Sequence, residues 1–102
     1  MTTIFTVTTL HFHDPDYGVS PRTVGWYPTL VEAVETVRHN RGDIFETSYT
    51  HAVITELPAG LYPLPIQEIW YEWSDIIGGY RPCDRQPGAW ARRGIVNVVA
   101  IG

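Results

Sequence analysis

Lysine is missing from this chain, cysteine occurs once, and no apolar run approaches the roughly 18–20 residues that span a bilayer. Each absence excludes something. With Cys83 alone no intrachain disulfide can form, so a secreted disulfide scaffold is ruled out. The opening Met1-Thr2-Thr3-Ile4-Phe5 has no basic segment ahead of an apolar one, so no signal peptide is expected and the cytoplasm is the expected compartment. No membrane association is expected either. Catalytic signatures are also lacking. Ser48 and Ser74 have no elbow motif, Cys83 lies between Pro82 and Asp84 with no nearby histidine, and Gly78-Gly79 is turn chemistry, not a phosphate cradle. No catalytic residue and no cofactor are expected, although active sites assembled across a fold leave a small enzyme as a third reading.

What is present is enough for one core. The 102 residues are 44% hydrophobic and 18% charged, which describes a folded chain and fits a single domain over 1–102. Such a chain buries roughly 60–70% of its unfolded surface. All seven basic residues are arginine, whose planar fork grips phosphate or carboxylate and stacks on rings. Residues 1–80 hold three arginines against ten acids, and residues 81–102 hold four arginines against Asp84. The net charge of −4 argues against general nucleic-acid binding, while the basic C-terminal stretch leaves room for a local anion site.

Residues 3–13 are dense in β-branched and aromatic types with apolar groups on both faces, which predicts a central strand. Asp14-Pro15-Asp16-Tyr17-Gly18 is turn chemistry, and 22–27 reads as a return strand. A helix should start at Thr29, where Thr29-Leu30-Val31-Glu32 fits a capping box. Its apolar stripe is Leu30, Val31, Val34 and Val37, with Ala33 on the flank, and Asn40 and Gly42 mark its end. Arg41-Gly42-Asp43 spells an integrin tripeptide but reads as part of that helix end. Residues 42–48 fit a loop or a short helical turn. Residues 49–57 predict a strand and 66–74 another with one wet face; Gly78-Gly79 turns the chain into a short strand at 80–83. Residues 84–94 read as an arginine-bearing loop and 95–101 as a last, buried strand.

The order β-β-α-β-β-β-β, with short turns between neighbours, predicts an α+β fold. It would have an antiparallel sheet of about five to six strands and one amphipathic helix packed on one face. One helix covers one face only. Since several strands are apolar on both, a homodimer or higher oligomer is expected to cover the other.

Two constellations carry chemistry. His11, His13, Asp14 and Asp16 have a spacing that suits a divalent metal, but a strand end and an ordinary turn explain every residue, and no metal is expected. Four tryptophans and six tyrosines are many for a core already rich in Val, Ile and Leu, and arginines lie on the return strand and the C-terminal loop. Rings that stack a base and guanidinium groups that hold phosphate suit a nucleotide-like ligand. The candidate residues are Arg22, Arg81 and Arg92 for the anion, with Trp26, Trp70 and Trp73 as stacking surfaces. The same residue types are favoured at protein interfaces, so a module that binds a host protein is the competing reading.

Across nearly its whole length the chain resembles a group of small proteins from phages and bacterial genomes. The likeness rests on Arg22-Thr23-Val24-Gly25-Trp26-Tyr27, the capped helix, Asn40-x-Gly42-Asp43-Ile44-Phe45-Glu46, Tyr49-x-x-Ala52-Val53-Ile54-x-Glu56, Gly60-Leu61-Tyr62, Trp70-Tyr71-x-Trp73 and Ile101-Gly102. The resemblance brings no site with it. It implies a phage accessory protein, of the kind that sequesters a nucleotide immune signal or blocks a host defence protein.

Overall fold

The computed structural model describes residues 3–12, 19–47, 49–60 and 64–83. Over these the chain runs β1 (Thr3–Phe12), β2 (Val19–Tyr27), α1 (Leu30–Arg38), a 3-10 turn (Arg41–Asp43), β3 (His51–Pro58), β4 (Gln67–Ser74) and β5 (Gly79–Cys83). The strands form one antiparallel sheet in the order β2-β1-β3-β4-β5, so the α+β expectation holds and β1 is interior. The strand expected at 95–101 and the arginine loop before it lie outside the described residues.

Alternation along each strand sorts the side chains onto two faces. Phe5, Val7, Tyr27, Ala52, Ile54, Ile69, Tyr71, Trp73 and Tyr80 point toward α1 and form the main core with Ala33 and Val37. The opposite face carries Thr6, Leu10, Val53, Thr55, Leu57 and Trp70, all buried. Hydroxyls here satisfy one another locally: the Thr8 and Thr23 oxygens are 2.9 Å apart, and Thr6 Oγ1 donates to the Thr55 carbonyl at 3.4 Å. No element among the described residues lies across this face. Its burial corrects the expectation of a wet face on β4, because Trp70 and Tyr71, on opposite faces, are both buried.

The helix is capped as expected: Thr29 is extended and its side chain accepts from the Glu32 N–H at 3.3 Å. Its buried stripe differs in two respects. Ala33, Thr36 and Val37 are buried, while Val31 is 70% exposed. At 100° per residue Val31 falls outside the arc spanned by Leu30, Ala33, Val34 and Val37. Thr36 lies on the opposite flank, which leans on β2. The helix crosses the sheet from the end of β2 toward β5, where a Cβ on Gly79 would meet the Arg38 carbonyl at 3.7 Å.

Candidate functional site

After α1 the chain must turn back over the sheet, and it does so through an unusual run of backbone. Asn40, Gly42, Asp43, Glu46 and Thr47 all have φ between 48° and 66°. Asn40 is in the left-handed conformation expected at a helix end, and its Oδ1 accepts from the Phe45 N–H at 2.9 Å. Asp43 Oδ1 accepts from the Glu46 N–H and from Asn40 Nδ2, both at 3.3 Å. Phe45 then stacks flat on Trp73, with ring centroids 3.8 Å apart, and meets Tyr80 edge-on. Side-chain caps and one stacked pair thus hold a loop whose dihedrals are individually unfavourable.

This loop leaves a cleft of about 350 Å³ against the outer strand β2. Val7 on β1 lines it beside Val24, Gly25 and Tyr27 on β2, with Arg22 on the strand wall, Thr36 on the helix wall, and Arg41, Gly42, Ile44 and Glu46 on the loop wall. β2 carries one residue more than β1 here, because Val7 pairs with Gly25 and Thr8 with Thr23, leaving Val24 as a bulge. Gly25 is a gap in the wall, since a Cβ built on it meets nothing within 4 Å. Thr36 Oγ1 donates to the Tyr27 hydroxyl oxygen at 2.7 Å and fixes that ring at the helix side. Arg22 Nη1 is 3.0 Å from Glu46 Oε2, and Arg41 has no ion-pair partner among the described residues. The cleft is therefore lined by two arginines and one glutamate beside a small apolar wall.

Of the described residues singled out by sequence, the cleft contains Arg22 alone. Trp26 is 54% exposed and pairs with Thr6, which puts it on the face away from α1. Trp70 is buried on that same face. Trp73 belongs to the ring cluster under the loop, and its Nε1 donates to Asp75 at 3.0 Å. Arg81 donates from Nε to Glu72 Oε1 at 3.0 Å on the far face of β5. Arg22 and Arg81 thus occupy opposite faces and opposite edges, four strand spacings or roughly 19 Å apart. One small ligand on one copy does not reach both, so these two arginines do not grip one phosphate within a single copy. Arg92 lies outside the described residues, as do His13, Asp14 and Asp16. Among the described residues no group of three potential metal ligands converges.

Sequence reading missed Arg41, Tyr27, Thr36 and Glu46 as lining residues. The stretch Asn40-Arg41-Gly42-Asp43 announces a helix end, but nothing in it says that the returning loop faces β2. Elsewhere, burial lowers the His51 pKa below the ordinary histidine value, with Glu72 opposing the shift. Among the described residues no helix is long and apolar enough to cross a membrane. No protein family matches this chain, and neither does any curated protein or solved structure.

Proposed function

We propose that this chain is a non-enzymatic binding protein whose β2 cleft takes a small anionic, nucleotide-like ligand. The observation that carries the reading is the presence of Arg22 and Arg41 on facing walls of one cleft, beside the gap at Gly25. Guanidinium groups bind phosphate through charge-assisted, geometrically matched hydrogen bonds. Val7, Val24 and Ile44 offer apolar contact to the body of the ligand, as small-molecule sites do. The likeness to phage proteins adds a setting, the sequestration of a nucleotide-derived immune signal in a host cytoplasm. Calorimetric titration with adenosine 5′-monophosphate at low ionic strength tests the site. Arg41→Ala should weaken binding by about tenfold or more, the usual range for a charge-assisted contact. Equal binding by parent and variant would end the proposal.

A second reading, a module that docks a host protein or a second copy of itself, is favoured by one observation. The β4–β5 turn presents Ile76 and Ile77 at 94% and 63% exposure, beyond the reach of the core.

A further inference from the structure

The geometry points to Glu46 as an internal competitor for the ligand's phosphate, which makes it the residue that sets which anions the cleft accepts. This inference rests on the anion-binding reading of the same cleft. Glu46 lines the cleft, and its carboxylate engages Arg22 through a single oxygen at 3.0 Å. Both side chains are about half exposed, so the pair is weak and readily exchanged. The backbone that carries the carboxylate is nonetheless held. The Glu46 N–H is tied to Asp43, the preceding Phe45 is tied to Asn40 and stacked on Trp73, and Glu46 has φ 48°. The loop thus delivers Glu46 to the β2 wall through contacts that do not include Arg22.

The chemistry follows from what a carboxylate so delivered does to an incoming anion. A ligand carboxylate that replaces Glu46 on Arg22 exchanges like for like and gains only what Arg41 adds. A phosphate monoester carries up to two charges and more acceptor oxygens, enough to occupy Arg22 and Arg41 together. Glu46 therefore raises the threshold that an anion must pass, and phosphate monoesters are the class that passes it. The Glu46 carboxylate then turns outward to solvent, to which it is already half exposed.

The test is calorimetric titration of adenosine 5′-monophosphate into the parent, Glu46→Gln, Arg22→Ala, the double variant Arg22→Ala/Glu46→Gln, and Glu32→Gln. The last removes one exposed carboxylate on α1 and controls for net charge. Glu46→Gln should tighten binding about two- to fivefold, the worth of an exposed ion pair expressed as a ratio. That gain should vanish in the Arg22→Ala background and be absent in Glu32→Gln. Should Glu46→Gln bind as the parent does while Arg41→Ala still weakens binding, the competitor role falls and the anion site stands. A gain of equal size in Glu32→Gln, or one that survives without Arg22, also overturns it. Absence of binding by every protein overturns the anion site and this inference with it.

Discussion

Tyr80 shows how much one buried polar atom constrains. Its ring is in the core beside Phe45 and Trp73, and its hydroxyl donates to the Tyr49 carbonyl at 2.6 Å, closing the end of the 40–47 loop onto β5. Burial raises its pKa well above the ordinary tyrosine value, and nearby Asp43 pushes it the same way. The folded chain therefore holds this proton more tightly than the unfolded chain does. Its contribution to stability is complete below the unfolded value of about 10 and is lost as pH rises from there through the folded value. Urea denaturation should give a stability that declines above about pH 10. Tyr80→Phe should lower stability by about 1–2 kcal/mol at neutral pH, because the Tyr49 carbonyl loses its donor, and should make the alkaline decline shallower. Tyr71, whose pKa burial also raises, keeps some of that slope in the variant.

Among elements, the loop between α1 and β3 is the place where local preference and fold disagree. Thr47 is β-branched and has φ 59°, a conformation that costs such a residue roughly 1–2 kcal/mol. Glycine removes that cost but gives up about 0.5–1 kcal/mol to the unfolded chain. Thr47→Gly should therefore stabilise by about 0.5 kcal/mol, read as a small rise in the urea midpoint. An unchanged or lowered midpoint would mean that the Thr47 hydroxyl, which donates to the Glu46 carbonyl at 2.6 Å, matters more than the strain. This loop also marks the limit of what sequence discloses. The helix was legible because Thr29, Glu32 and Asn40 act through neighbours three to five residues away. Strands β1 to β5 were legible because alternation is a local property. The cleft was not, because it depends on where a returning loop meets an outer strand, and nothing near Arg41 in the chain encodes the approach of Arg22. Trp26, Trp70 and Trp73 were visible as rings, but their distribution over two faces follows from register, which residue type alone does not specify.

At the scale of the whole molecule, self-association can draw on the large apolar groups that are exposed among the described residues. Ile76 and Ile77 at the β4–β5 turn are two adjacent ones, Ile76 being the most exposed of all. Light scattering at micromolar concentration should give a multiple of 11.6 kDa if the turn joins copies, and Ile76→Ser with Ile77→Ser should return it to 11.6 kDa. A parent that already scatters as 11.6 kDa would leave the turn to a different partner.

The position of β1 has a consequence for how the protein is made. Its first neighbour, β2, follows within a few residues, whereas its second, β3, begins only at His51. A nascent chain can close the β1–β2 hairpin early, yet the other side of β1 waits until residues 51–58 have left the ribosome. During that interval Val7, Thr9 and Leu10, fully buried once folding is complete, belong to an open strand edge. Synthesis that ends between α1 and β3 would release a hairpin with a helix and no sheet to close on, the kind of fragment that pairs with its own copies. The strand that binds the fold together is thus also the one that most needs translation to proceed without pause.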